Sequence, residues 1–373
     1  MSNKDKLIIF GICLAVILFS LFLLYKNPDC PFHVDYVQYT KEIKNFYERQ
    51  VIGSGVNGKY IYVYLMSVFL APFKLLGFNI YDSMAFITGI FQALLIYLLY
   101  KYTNSLLKTI LAASTLTFLT LIGNAETAII ASVFLMLYFI NRDKPYSEFF
   151  IAIASFIRID SAIYYLFAKK WTALIPMSIT FLQWLNQKQF VNSDFGLNNH
   201  PLSVLFVVIA SYGAVLIPLI YLIKFKDKLD FITHLLIFGV FILLLESPSQ
   251  KLFFFPVLLS FMLYDFEFEK LKKYALVAFI IFNLLLGFAI QVARAEHCTP
   301  KAIYGFAQRH NESTYYGVFQ PYLDYYNKTY AEPYAYELSQ NCKNATDYFI
   351  AEDWRNSQIL YWPYKFCLEE YNG

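Results

Sequence analysis

Charged side chains are scarce in this chain. Asp, Glu, Lys and Arg make up 15% of its 373 residues, where a soluble globular domain carries about 25%. Too little polar surface remains to cover a water-soluble particle. The few charges balance to a net +3 and are spread along the chain, which argues against a nucleic-acid partner. Glycine and proline are modest, at 14 and 13 residues. Neither a low-complexity tract nor a repeat of fixed period stands out, which argues against solenoid architectures. A secretory cleavage site is also missing. Met1–Lys6 is basic and Leu7–Leu24 is continuously apolar, but a signal peptide has an apolar core of about 7–15 residues ending at a small-residue site. This run is longer and ends in Leu-Leu-Tyr-Lys-Asn-Pro, so it predicts an uncleaved transmembrane helix.

What the chain has instead is apolar length: 58% hydrophobic residues, 20% aromatics and a mean hydropathy of +0.46. At 1.5 Å per residue, about 20 residues cross the roughly 30 Å of hydrocarbon in a bilayer. Candidate crossings are 7–25, 60–78, 83–100, 106–122, 127–140, 148–168, 171–185, 202–223, 231–245, 251–264 and 273–291. The segments 127–140, 171–185, 231–245 and 251–264 are short enough to be re-entrant or tilted. The pattern predicts an all-α polytopic membrane domain of about 11 transmembrane helices. It occupies residues 1–291 with an outer loop at 26–59, and a small extracytoplasmic α/β domain follows over 292–373. That tail combines a helical stretch near 300–310 with strand-like runs at Tyr315–Phe319 and Asp347–Ala351.

Orientation follows from the Lys/Arg bias of short loops. Lys4 and Lys6 put the N-terminus inside, and Lys224, Lys226 and Lys228 mark one cytoplasmic loop. Lys270, Lys272 and Lys273 mark another. An odd number of crossings then puts the tail outside. Lys101 with Lys108, and Arg142 with Lys144, fall on the outer side in this count; they move inside if 60–78 does not fully cross. The tail carries three glycosylation sequons, at Asn311, Asn327 and Asn344, which have meaning only on a translocated surface. Cys30, Cys298, Cys342 and Cys367 form an even set in the outer regions, while Cys13 sits in the first apolar run. Disulfides are compatible with an oxidising compartment, and spacing does not define their pairing.

Gly53-Ser-Gly55-Val-Asn-Gly58-Lys59 resembles a phosphate-binding loop. It lacks the following Ser/Thr, a preceding strand and a soluble helix after it, so it reads as a Gly-rich loop rather than a nucleotide site. In Tyr39–Val51, Ile43, Phe46, Tyr47 and Val51 share one face opposite charges. That fits an interfacial amphipathic helix or a short solvated one.

Several charged residues stand where charge is costly or useful. In His33-Val-Asp35, close to the end of the first helix, a carboxylate can deprotonate an acceptor hydroxyl and an imidazole can hold a metal or phosphate. An ordinary solvated pair is the plainer alternative. Glu126 separates two apolar runs and is either a functional acid or a solvated helix end. Arg158 and Asp160 lie well within an apolar segment. Ionised groups at membrane depth face a polar cavity or one another, and at i, i+2 these two point to different faces. Lys251 follows an outer loop; it either binds a phosphate as a point charge or snorkels at a helix end.

Four stretches together resemble the GT-C superfamily of integral-membrane glycosyltransferases, which includes protein mannosyltransferases and aminoarabinose transferases. They are His33-Val-Asp35-Tyr-Val-Gln-Tyr, the Tyr-rich Gly58–Leu65 run ending in Ala71-Pro-Phe-Lys-Leu-Leu-Gly77, Arg158-Ile-Asp160, and Lys251-Leu-Phe-Phe-Phe-Pro256. The resemblance implies sugar transfer from a polyprenyl-phosphate donor at the outer membrane face. Asp35 is then the general base or acceptor-orienting acid, and Glu126 a second outer-loop acid. Arg158 and Lys251 hold the donor phosphate, with His33 and Asp160 beside the substrate. Membrane lipids and a lipid-linked sugar are the implied partners. A divalent metal remains possible, although no Asp-Glu or Asp-x-Asp pair stands in the first loop to specify one. A multi-pass transporter or lipid flippase, and a non-catalytic surface protein, are the alternative readings of the same layout.

Overall fold

The computed structural model describes residues 3–26, 34–49, 60–115, 118, 119, 122, 127–158, 161, 164, 178, 270–296, 315–316, 336–339, 349–352 and 363–370. Its helices are α1 (Asn3–Lys26), α2 (Val34–Arg49), α3 (Tyr60–Leu75), α4 (Ile80–Thr103), α5 (Leu106–Ala113), α6 (Thr127–Asn141), α7 (Ser147–Ile157) and α8 (Lys270–Glu296). Four strands also occur: β1 (Tyr315–Tyr316), β2 (Tyr336–Ser339), β3 (Phe349–Glu352) and β4 (Pro363–Glu370).

The centre of the bundle is α4. Asn79 caps its start, accepting from the Tyr81 N–H at 2.9 Å, and Asn104 ends it in the left-handed region at φ 50°. The Asn79 side chain meets an otherwise orphaned N–H, whereas Asn104 closes the other end through its backbone N–H on the Tyr100 carbonyl at 2.8 Å, in a conformation that Asn tolerates. Among the described helices, α1 and α4 are long and apolar enough to cross a membrane. They run antiparallel. The Cys13 thiol donates to the Ala93 carbonyl at 3.3 Å, Ser20 packs on Gly89, and the Asp5 carboxylate lies within electrostatic range of the Tyr100 hydroxyl. A Cβ on Gly89 would stand 3.1 Å from Ser20 Oγ, so small residues set how closely the helices approach. Most of α4 is buried, whereas α1 leaves Leu7, Phe10, Leu14, Leu18 and Phe22 exposed in one stripe.

A tight turn returns the chain from α3 to α4. The Phe78 N–H reaches the Phe73 carbonyl and the Gly77 N–H reaches Lys74, each at 3.0 Å. Gly77 takes φ 81°, and Phe73 and Phe78 rings meet at 6.2 Å. This is the Schellman closure with its apolar contact, and Gly77 is the residue that tolerates its backbone. The chain therefore enters α4 from the same end at which α1 finishes.

Two spans expected from the sequence are interrupted. Within the run 106–122, α5 ends at Ala113 and Phe118 and Leu119 are helical again; within 148–168, α7 ends at Ile157. At Ser114 and Thr115 the hydroxyls compete for backbone partners: Ser114 donates to the Leu111 carbonyl at 3.1 Å, and Thr115 accepts from the Phe118 N–H at 3.2 Å. Such local bonds offer the backbone an alternative to continuing the helix. The carbonyls freed beyond the break are met by α8. Asn283 donates to Ser114 at 3.1 Å, and Gln291 donates to Leu119 at 2.9 Å and Ile122 at 3.2 Å. Between them Gly287 lets α8 approach, since a Cβ there would stand 2.8 Å from Leu119 Cβ. Gly287→Ala is expected to force α8 outward and cost about 1–3 kcal/mol, read as a lowered unfolding midpoint of the detergent-solubilised chain.

The strands form one sheet in the order β1-β2-β4-β3. The pair β1–β2 is parallel, and β4 runs antiparallel to both β2 and β3. Cys367, in β4, pairs in register with Ser339; Cys30, Cys298 and Cys342 lie outside the described residues.

Candidate functional site

The site is built on the α6–α7 hairpin. Its turn, Arg142–Tyr146, is closed by the Lys144 N–H on Asn141 at 2.8 Å and the Ser147 N–H on Lys144 at 3.2 Å. The Asn141 amide donates to the Leu137 carbonyl at 2.8 Å, folding the side chain back along the last turn of α6. The Tyr102 and Phe139 rings meet at 6.0 Å, so this turn sits beside the C-terminal end of α4. The earlier count put Lys101, Lys108, Arg142 and Lys144 across the membrane from Lys4 and Lys6. All of them lie at the end of the bundle that holds the N-terminus, as in the alternative in which 60–78 does not fully cross, because α4 is antiparallel to α1 and α6 parallel to α4.

From that end α7 rises for 11 residues and stops. Eleven residues span about 16 Å, roughly half the hydrocarbon thickness. Arg158 is therefore the residue at the helix end rather than one buried within a continuous span. It adopts extended backbone, φ −142° and ψ 114°, while its N–H still reaches the Ala154 carbonyl. Its own carbonyl accepts from the Ser161 N–H at 2.9 Å, and its side chain is half-buried. Tyr164, six residues on, packs edge-on against Phe139 at 5.9 Å. Tyr164 therefore lies beside the turn end of α6.

The open end of the hairpin gathers two sequence-predicted positions. Thr127, which follows Glu126, opens α6 there, and Arg158 ends α7 there. Glu126 itself and Asp160 lie outside the described residues, as do His33, Lys251, Asn311, Asn327 and Asn344. Asp35 is the second residue of α2, two beyond His33. Helix α2 packs on α3, and α3 on α7. Tyr39 meets Tyr62 while Tyr47 lies under Lys74, and α3 runs antiparallel to α4. Helix α2 therefore starts toward the C-terminal end of α4, and the structure does not bring Asp35 to the open end of the hairpin at Arg158.

The apolar face of α2 makes the contact with α3. Tyr39 and Ile43 are buried; Tyr39 meets Tyr62 edge-on at 5.0 Å, and Phe46 meets Tyr64 at 5.0 Å. The Tyr47 hydroxyl donates to the Ser67 carbonyl, and the Lys74 ammonium stands 4.2 Å over the Tyr47 ring. Val51 lies outside the described residues. Burial raises the Tyr47 phenol above its ordinary value. Its contribution is therefore complete below the ordinary tyrosine range near pH 10 and is lost as pH rises through the higher folded value, because a phenolate cannot donate. Tyr47→Phe is expected to cost about 1 kcal/mol at neutral pH and to flatten the alkaline fall in melting temperature relative to the parent chain.

The sequence reading missed a set of polar groups inside the bundle. Gln92 on α4 is fully buried, and neither side-chain amide atom has a hydrogen-bond partner among the described residues. The Ser132 hydroxyl on α6 and the Ser155 hydroxyl on α7 share that condition, and α6 packs on both α4 and α7. Their only sequence signal is a Gln and two Ser in apolar runs. Among the described residues, no three His, Cys, Asp or Glu side chains converge as a metal site would require.

In comparisons with known proteins, no family model, curated sequence or solved structure matches the chain.

Proposed function

We propose that this chain is a multi-pass membrane glycosyltransferase that moves a sugar from a polyprenyl-phosphate carrier to an acceptor at the outer membrane face. The observation that carries the reading is the stop of α7 at Arg158, next to the start of α6 after Glu126, at a depth where an uninterrupted membrane helix would continue. A cation at such a break is tolerated when it faces a polar cavity. The buried polar groups of Gln92, Ser132 and Ser155 are suited to line one. The exposed apolar stripe of α1 supports the membrane placement, since water penalises a continuous apolar surface of that length.

The chemistry divides among the residues as follows. The acceptor hydroxyl attacks the anomeric carbon as the bond from that carbon to the carrier phosphate breaks. Asp35 takes the hydroxyl proton, with Glu126 as the second acid at the site. Arg158 and Lys251 neutralise the charge left on the departing polyprenyl phosphate, and His33 and Asp160 position the donor. Asp35→Asn should lower transfer by about 10²–10⁴-fold, measured in membranes with a polyprenyl-phosphate sugar. Undiminished transfer would remove Asp35 from catalysis.

A transporter is the second reading, favoured by one observation: α5 and α7 are both discontinuous and both begin at the same end of the bundle. Broken helices line substrate sites in transporters. Movement of the lipid-linked sugar across proteoliposomes without covalent change would select that reading.

A further inference from the structure

Independent contacts define the two ends of the helical bundle. Asp5 lies near Tyr100, Cys13 bonds Ala93, and Tyr102 meets Phe139. The N-terminus, the α4–α5 turn and the α6–α7 turn therefore share one end. Helix α8 starts there too. Phe288, toward its far end, stacks on Phe19 at 5.1 Å. Asn283 and then Gln291 follow the chain from Ser114 to Ile122, away from the start of α5.

That end gathers Lys4, Lys6, Lys101, Arg142, Lys144 and the lysines at 270, 272 and 273, with Asp5, Asp143 and Glu148 as its described carboxylates. Lys4, Lys6, Lys101 and Lys144 are exposed. At the opposite end, the described ends of α1, α3, α4 and α8 carry Lys26, Lys74 and Arg294 against Asp82 and Glu296, a net of +1, where the basic end carries eight cations against three carboxylates. The positive end comes from four separate stretches of sequence, brought together only by the antiparallel packing.

We propose that this end is an interaction surface for anionic phospholipid headgroups, and that it seats the bundle on the cytosolic leaflet. Lysines at helix ends extend their stems along apolar surface and present the ammonium at headgroup level. A negatively charged leaflet attracts such clusters over about a Debye length. The inference rests on the membrane placement proposed above and not on the transfer chemistry.

The test uses the full chain in phosphatidylcholine vesicles containing a minor fraction of brominated lipid, either phosphatidylglycerol or phosphatidylcholine. A thiol-reactive fluorophore is placed through Asp143→Cys at the basic end or Leu76→Cys at the other, with the labelled parent chain as background. At position 143, brominated phosphatidylglycerol should quench about threefold more than brominated phosphatidylcholine, and molar salt should erase the difference. Position 76 should show no preference. Replacing Lys4, Lys6, Lys101 and Lys144 by Gln should abolish the preference at 143. Equal quenching by the two lipids at 143, or the same preference at 76, overturns the proposal. Release of the chain from vesicles by alkaline carbonate would refute the membrane placement beneath it.

Discussion

Gln291→Met should lower the unfolding free energy by about 1–3 kcal/mol, because a buried carbonyl left without its donor costs about that much. Gln291 is 2% exposed, and its amide nitrogen serves both Leu119 and Ile122. Met keeps the length of the side chain and removes the donor, so packing changes little while the Ile122 carbonyl loses Gln291 and the Leu119 carbonyl keeps only the Ile122 N–H at 3.3 Å. The cost is sharpened by location, since irregular backbone at membrane depth has no water to turn to. Asn283→Leu removes the bond to Ser114 and should add a smaller loss. The two amides are eight residues apart on α8 and serve different carbonyls, so their effects should sum to within about 0.5 kcal/mol. Thermal unfolding in detergent measures both. A Gln291→Met chain that melts with the parent would show that the 114–122 segment does not depend on α8.

Arg158→Leu should reduce kcat/KM for sugar transfer by about 10²–10³-fold, the usual consequence of losing a group that stabilises charge developing in the transition state. The fold should survive. The stop of α7 is made by backbone bonds, from the Arg158 N–H to Ala154 and from the Ser161 N–H to Arg158, and the side chain is only half-buried. Arg158→Lys keeps the charge and loses the planar fork that grips two phosphate oxygens, so it should fall between the parent and Arg158→Leu. Full transfer by Arg158→Leu, in a chain that melts normally, would sink the assignment of the donor phosphate to this helix end.

Helix positions were largely legible because apolar run length is a strong signal. The described α1, α3, α4, α6 and α8 fall on five of the anticipated runs with shifts of a few residues at their ends. Within the other two runs, the described helices α5 and α7 end at Ala113 and Ile157. Ser114, Thr115 and Arg158 interrupt the helices without interrupting the apolar composition, and hydropathy does not register a backbone that changes partners. The basic loops share one end of the bundle because α4 returns antiparallel to α1, the arrangement the sequence left open for the case in which 60–78 does not fully cross. Arg158 stood out as a cation in an oily run, and Asp35 as an acid after the first helix. Asn283, Gly287 and Gln291 did not stand out. Their spacing of four along one face of α8 acquires meaning only when the acceptors opposite are known, and those lie 169 to 172 residues away in sequence.

That separation bears on how the chain is made. Residues 114–122 leave the ribosome long before α8 exists, and at 5–20 residues per second the amides that meet their carbonyls arrive about 10–35 seconds later. During that interval the interrupted stretch must be sheltered by the insertion machinery, by water or by a provisional neighbour. Chains truncated before residue 270 should therefore be recognised as unfinished and degraded, even though every earlier helix is already in place.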